Sequence, residues 1–390
     1  MHMEMFKPEL CDMCGDCLAQ CPVLELSPGL AVDYISRLVD GEYVSEVLDR
    51  CTGCMSCDAI CSKGAHPYGL LLEWYAERYL ASGIPGIFLG AMPQRDGPNL
   101  WRGLDRWLTV GERRNLELWS RPPESEEVLF LGCNQHLTPY VADAALFRDV
   151  TVFTDPDQCC GEYFLRLGLI DVARRKAASL ARRFAELGIR RIIAFCPACH
   201  NTMNNLAPLA LGVHFDVEIV SMVDWLAARV KRGEIEISAP LSGTVTVQDP
   251  CHASGLEPAT VENVRGLLEH IGLKVMEMQA SGATAECCGL GASLARYHLR
   301  DVLRAGVRRM RQTRTPGADM TCAWCNGCYM VMNMFRLFYP IAPPVYQLVE
   351  LMQTATGEVP IRLPARPAQL LIAATEASVR GGFSFRQVKV

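Results

Sequence analysis

Two short words with adjacent cysteines constrain this chain more than any other feature: "QCCGE" at Gln158 to Glu162 and "ECCGL" at Glu286 to Leu290. Neighbouring cysteines seldom bond to each other, because the ring they would close is strained. A second repeated pattern lies nearer the N-terminus. Cys11, Cys14, Cys17 and Cys21 stand at C-x2-C-x2-C-x3-C, and Cys51, Cys54, Cys57 and Cys61 repeat that spacing. The 390 residues include 19 cysteines, an odd number in tight groups, which argues against a paired disulfide framework. Reduced thiols in a cytoplasmic protein are expected, most of them held by metal.

The remaining composition narrows the classes. Net charge is −5 and the pI is about 6.0, so no strongly basic face for nucleic acid is expected. The N-terminal "MHMEMFKPEL" lacks the basic start and apolar core of a signal peptide. No uninterrupted apolar run is long enough to cross a membrane, so membrane contact is expected only through a partner. Half of the residues are hydrophobic, enough for two or three packed domains.

The chain repeats itself. One copy reads "VLFLGC" to Cys133, "VTVFT", "DQCCG", the helical pattern "FLRLGLIDVARRKAASLARRFAELG" ending at Gly188, then "RIIAFCPACHN". The other reads "TVTVQDPC" to Cys251, "LKVMEM", "ECCG", "SLARYHLRDVLRAGVRRMRQT", then "GADMTCAWCNGC". Strand–loop–helix alternation of this kind predicts α/β domains with parallel strands, in a pseudo-twofold pair. Cysteines follow apolar runs, and the carboxyl ends of strands are where such sheets place ligands. The expected organisation is a helical ferredoxin-like domain over 1–85, a Gly-, Pro- and Arg-rich linker over 86–123, repeat domains over 124–240 and 241–360, and a C-terminal tail over 361–390.

The N-terminal spacing is the bacterial ferredoxin ligand run, in which the fourth cysteine ligates the other cluster. Cys11, Cys14, Cys17 and Cys61 are therefore expected on one [4Fe–4S] cubane, and Cys51, Cys54, Cys57 and Cys21 on a second. Pro22 follows the first run as the pattern requires, and Ser62 stands where the second proline would be. Zinc would need four ligands per ion and usually takes two C-x2-C pairs.

The pattern C…CCG…C-x-x-C resembles the CCG cysteine-rich domain. That domain occurs in the catalytic subunit of heterodisulfide reductase and in the C subunit of anaerobic glycerol-3-phosphate dehydrogenase. A ferredoxin-like N-terminus followed by two such domains is similar to the fused form of heterodisulfide reductase, over roughly residues 5 to 355. The resemblance implies a non-cubane [4Fe–4S] cluster on five cysteines of each copy. These would be Cys133, Cys159, Cys160, Cys196 and Cys199 in one, and Cys251, Cys287, Cys288, Cys322 and Cys325 in the other. "CAWCNGC" also offers Cys328. Anchoring both copies on the apolar runs after the C-x-x-C motifs, at Asp224 and Glu350, selects Cys322 and Cys325 and leaves Cys328 as a buried spare thiol or conditional ligand.

Gly161 and Gly289 are expected to turn the backbone so that both cysteines of a pair face one core and the chain approaches the cofactor closely. His200 and His252, each next to a cysteine, are candidates for proton donation, with packing beside the cluster as the blander role. The resemblance implies an electron relay through two cubanes to paired non-cubane clusters, for reduction of a small disulfide. The alternative is an electron-transfer subunit wiring a flavoprotein dehydrogenase or larger complex to quinone or ferredoxin. No Gly-x-Gly-x-x-Gly opens a βα unit and no Walker motif is present, so flavin or nucleotide is expected on a partner subunit.

Overall fold

The computed structural model describes residues 5–93, 96–382 and 384–390. The N-terminal part is helical: α1 (Asp16–Ala19), α2 (Pro28–Val39), α3 (Ser45–Leu48), α4 (Ser56–Ile60) and α5 (Pro67–Ser82). α1 and α4 are short turns that carry the third cysteine of each run. Ala31, Ile35 and Leu38 recur at helical spacing on α2 and are buried, which is why so short a segment docks firmly.

Residues 86–123 are more than a spacer. After β1 (Ile84–Pro85) come α6 (Leu100–Leu104) and α7 (Val110–Trp119). α7 opens with a reciprocal cap: the Thr109 hydroxyl accepts from the Glu112 N–H, and the Glu112 carboxylate accepts from the Thr109 N–H.

The two copies follow. The first holds β2 (Glu127–Phe130), β3 (Thr151–Phe153), α8 (Glu162–Arg166), α9 (Ile170–Glu186), β4 (Arg191–Ala194), α10 (Pro197–Asn201), β5 (Glu218–Ser221) and α11 (Met222–Lys231). The second holds β6 (Thr244–Gln248), α12 (Pro258–His270), β7 (Lys274–Val275), α13 (Leu290–Arg296), α14 (Leu299–Gln312), β8 (Met320–Ala323), α15 (Asn326–Phe338), β9 (Val345–Gln347) and α16 (Leu348–Ala355). Each copy forms a four-stranded parallel sheet, in the orders β3-β2-β4-β5 and β7-β6-β8-β9. β2 and β4 are neighbours whose connections leave in opposite directions, as are β6 and β8. Their carboxyl ends flank a topological switch point, where open parallel sheets bind ligands.

The long helical patterns after each CCG do not form single helices. The first breaks at Gly168, with φ +79°, where a Cβ would lie 2.4 Å from the Tyr75 carbonyl oxygen of α5. The second breaks at Tyr297, with φ +60°. Close packing of the helical N-terminal part against the copies thus decides where each helix divides.

The tail is structured as well. α17 (Arg366–Arg380) packs on α6 and α15, and β10 (Gln387–Val388) pairs antiparallel with β1. The buried Arg366 guanidinium meets the Glu112 carboxylate at 2.8 Å and donates to the Leu137 carbonyl at 2.8 Å, tying the tail to α7 and to the first copy. Breaking one side of such a buried pair strands a charge and costs about 3–5 kcal/mol.

A second buried carboxylate makes stability depend on pH. Glu350, near the start of α16, accepts from the Gln347 N–H at 2.7 Å and lies 3.4 Å from the Tyr329 hydroxyl, which meets the Tyr140 hydroxyl at 3.2 Å. Burial pushes its carboxyl from 4.5 up to about 7. The folded state then holds a proton that the unfolded chain releases. This contribution is complete below about 4.5 and is lost as pH rises through about 7. Gln at this position keeps the cap geometry without the charge. Glu350→Gln is expected to raise the melting temperature of anaerobic protein at pH 8 but not at pH 5, by a free energy of no more than about 3 kcal/mol. Equal shifts at both pH values would refute the titration.

Candidate functional site

The N-terminal thiols form two groups drawn from both runs. Cys11, Cys14, Cys17 and Cys61 line one small cavity together with Gly15, Ile35 and Lys63. Burial, with Cys61, Cys11 and Cys14 close by, pushes the Cys17 thiol up to about 12. Cys21 leaves its own run for the other group: burial and the neighbouring Cys54 and Cys51 push it up to about 12. The backbone explains the wrapping. Met13 and Gly15 in the first run, and Gly53 and Met55 in the second, all take positive φ. The chain coils tightly enough to point three thiols inward, and two non-glycine residues bear the strain.

The copies place their thiols at the switch points. Cys133 and Cys196 follow β2 and β4, and Cys251 and Cys325 follow β6 and β8. Between them come the doubled cysteines, each pair closed by a left-handed glycine, Gly161 at φ +90° and Gly289 at φ +114°. A Cβ at Gly161 would lie 2.6 Å from the Ala173 carbonyl oxygen, and one at Gly289 2.7 Å from that of Val302. Glycine therefore serves both the turn and the packing of the next helix. The Gly161 N–H donates to Cys159 Sγ at 3.4 Å and the Gly289 N–H to Cys287 Sγ at 3.3 Å. Cys133 Sγ lies 3.9 Å from Cys159 Sγ.

Both sets open onto one cavity of about 170 Å³, lined by Cys133, Cys159, Cys160, Cys196 and Cys199 and by Cys251, Cys287, Cys288, Cys325 and Cys328. Cys322 is not in that wall. It sits inside β8, fully buried, with Asp249, Arg265 and Glu350 as its charged neighbours. The C-x-x-C that matches Cys196 and Cys199 is Cys325 and Cys328. In each copy one residue, Phe195 or Trp324, separates the strand from the first of these cysteines. The expected register is thus corrected by three residues. The copies differ in length after the motif: Cys199 stands 22 positions before the end of β5 at Ser221, and Cys328 19 before the end of β9 at Gln347. Copy one spends that length on a π-helical stretch, Thr202–Leu211, interrupted by Pro208.

The thiols fit a cationic polynuclear group. Hydrogen bonding to Cys160 and Cys196, then burial, holds the Cys199 thiol well above its usual range, and Cys328 is raised in the same way by Cys288 and Cys325, while hydrogen bonds from Cys199 and Cys287 hold Cys196 and Cys288 well below it. So many buried thiols cannot all become thiolates beside one another without positive charge among them, and iron supplies that charge.

The two histidines part company. His200 lies one residue beyond Cys199 on α10, so its side chain is turned about 100° away from the thiol. It meets the Asn204 amide at 3.1 Å and lies outside the cavity wall. His252 is buried in that wall. A chain of amides sets its tautomer. Asn205 donates to the Gly255 carbonyl at 2.6 Å and to Asn201 Oδ1 at 2.9 Å. That turns Asn201 Nδ2 toward His252 Nδ1 at 3.2 Å, so Nδ1 accepts. His252 Nε2 then carries the proton and donates to Glu162 Oε1 at 3.1 Å.

The sequence does not single out Arg166. The spacing of Glu162 and Arg166 reads as an ordinary i, i+4 ion pair, yet the guanidinium is buried and its other contacts lie in the second copy. The far wall of the cavity comes from residues 86–123, α15 and α17: Leu100, Trp101, Met330, Met334, Leu370 and Ala374. The segments that carry the second N-terminal thiol group pack against both copies. Met55 Sδ lies 3.9 Å from Asn201 Nδ2, and Arg308 bridges the Pro22 carbonyl at 2.9 Å to the Glu286 carboxylate at 2.9 Å. Among the described residues no helix is long and apolar enough to cross a membrane.

Known families match these segments of the chain. The 4Fe-4S dicluster domain family matches residues 3–62, and the CCG cysteine-rich domain family matches residues 128–204 and 245–333. The D subunit of the dihydromethanophenazine:CoB–CoM heterodisulfide reductase of Methanosarcina barkeri is 23% identical over 91% of this chain and 95% of its own. The EtfAB:quinone oxidoreductase of Syntrophomonas wolfei is 24% identical over 73% of this chain and 43% of its own. A probable iron-sulfur-binding oxidoreductase of Bacillus subtilis is 22% identical over 78% and 45%. The chain is an iron-sulfur oxidoreductase-like protein, built from a 4Fe-4S dicluster domain and two CCG cysteine-rich domains and homologous to the D subunit of heterodisulfide reductase.

Proposed function

We propose that this chain passes electrons from the thiol groups of its N-terminal domain to the paired five-thiol sites and there reduces a small organic disulfide. The observation that carries this reading is the shared cavity, into which both five-thiol sets and His252 open. Cys11, Cys14, Cys17 and Cys61 would hold one cubane, and Cys21, Cys51, Cys54 and Cys57 the other. Cys133, Cys159, Cys160, Cys196 and Cys199 would hold one further [4Fe–4S] cluster, and Cys251, Cys287, Cys288, Cys325 and Cys328 its partner. Such clusters supply electrons one at a time, and cleaving a disulfide to two thiols consumes two electrons and two protons.

The chain's own residues have definable tasks. Leu100, Trp101, Met330, Met334, Leu370 and Ala374 exclude water and hold the apolar body of the substrate. His252, fixed with its Nε2 proton by Asn201 and Glu162, is placed to hand a proton to a departing thiolate. The N–H groups of Gly161 and Gly289 brace the thiolate sulfurs. Electrons would enter at the exposed Cys14 from a flavoprotein or another subunit. A second reading rests on the likeness to a quinone oxidoreductase: the chain would wire a dehydrogenase partner to quinone or ferredoxin, with no disulfide chemistry of its own.

Three measurements test the cluster assignment, the register and the choice between these readings. Anaerobically purified protein should carry about sixteen irons per chain, four per cluster. About eight would leave only the N-terminal domain loaded. Cys328→Ala should abolish the copy-two paramagnetic signal and about four irons, while Cys322→Ala keeps both. The reverse result would restore the register read from sequence. A panel of organic disulfides should perturb the paired-cluster spectra alone, with His252→Gln slowing turnover roughly 100-fold at unchanged iron. Unchanged spectra, with ready electron transfer to a quinone, would favour the wiring role.

A further inference from the structure

The two copies match thiol for thiol, yet the groups around the thiols do not match. Aligned on the CCG glycines, Glu162 and Arg166 of α8 correspond to Leu290 and Leu294 of α13. Aligned on Cys133 and Cys251, His252 corresponds to Asn134. One copy therefore brings a carboxylate and a guanidinium to the cavity where the other brings aliphatic side chains.

Arg166 reaches beyond its own copy. Its guanidinium, on a side chain 5% exposed, crosses to the second copy, where Nη1 donates to Cys251 Sγ at 3.3 Å. Nε donates to Glu162 Oε1 at 2.7 Å, and Nη2 meets the same oxygen at 2.5 Å while passing 3.0 Å from His252 Nε2. The ion pair is thus oriented, its cationic edge toward the thiol and its carboxylate behind. Room for it is provided by the absence of a side chain at Gly291, where a Cβ would lie 2.1 Å from Arg166 Nη1 and 3.2 Å from Cys287 Sγ. Gly53, between Cys51 and Cys54, would bring a Cβ 3.9 Å from Arg166 Cδ. The same side chain therefore stands between the second N-terminal thiol group and the copy-two set. On the copy-one side, Cys133 is held through its carbonyl instead, which accepts from the Trp101 indole at 2.9 Å.

We infer that Arg166 is a positioning residue donated by one copy to the other, and that it makes the paired sites unequal, with the copy-two site the more easily reduced. This deepens the proposed function and rests on its assignment of clusters to both five-thiol sets. A cation and an N–H donor at a ligating sulfur stabilise the more negative, reduced state of an iron–sulfur group. The position in the second copy that corresponds to Arg166 is Leu294 of α13, so the copy-one site receives no such charge in return. Electrons leaving the Cys51 group would accordingly reach the Cys251 side first, beside the histidine that carries the proton. The two copies are then an acceptor and its follower, not a symmetric pair.

The test is a potentiometric titration of the full anaerobic chain followed by electron paramagnetic resonance. Cys160→Ala and Cys288→Ala identify which signal belongs to which copy. In wild type the signal lost in Cys288→Ala should appear at the higher potential. Arg166→Met should lower that potential and leave the copy-one signal in place. If the Met variant fails to load copy two, Arg166→Lys, which keeps the charge but not the fork, should shift the same signal by less in the same direction. Equal shifts of both signals, or wild-type potentials in the loaded variant, would overturn the inference while leaving the disulfide reading intact. Absence of both paired-site signals from wild type would overturn the two together.

Discussion

Ten thiols at the carboxyl ends of two parallel sheets, facing one another across a single cavity, are the constraint on which this molecule turns. Thiols crowded this closely compete for protons: hydrogen bonds hold Cys196 and Cys288 well below the usual thiol range and Cys199 and Cys328 well above it. The fold brings them together all the same, and every surrounding feature fits a cationic group among them. Glycine turns aim adjacent cysteines the same way, N–H groups point at sulfur, and the switch point of each sheet leaves space between the strands. Parallel sheets suit this purpose because their ligand crevice forms without distorting the hydrophobic strands beneath it.

The cavity is not symmetric although the domains that make it are. The repeat supplies the thiols in pairs, and departures from the repeat supply everything else. Arg166, Glu162 and His252 make one wall polar. Segments that read as connector and tail, with α15 of the second copy, make the other wall apolar, the tail held to the connector by the buried pair of Arg366 and Glu112. Duplication can produce two metal sites with little further change, whereas a substrate site between them needs the copies to differ. Here the differences cluster where the copies meet.

How much was legible depended on the range of the interaction concerned. The ferredoxin spacing is local, and its exchange of fourth cysteines follows from the geometry of a tight coil, so the grouping of Cys21 and Cys61 could be anticipated. The parallel sheets could be read from apolar runs alternating with helical patterns. Three things could not be read. The helices after each CCG divide at Gly168 and Tyr297 because α5 and its neighbours press on them. His200 and His252 stand equally beside cysteines in sequence, yet helical rotation carries one away and a chain of amides holds the other in the wall. The choice between Cys322 and Cys328 depended on which flank of the motif kept its length.

By itself, then, the sequence determined which thiols exist, their local spacing and the doubled architecture, because these depend on residues a few positions apart and on periodicity along one strand or helix. Only the tertiary structure decided that Cys328 and not Cys322 faces the cavity, that Arg166 of one copy reaches Cys251 of the other, and that connector and tail complete the wall. Each of these depends on contacts between segments tens to hundreds of residues apart. Residue order does not encode such distances until the two copies have packed against each other through their helices and loops.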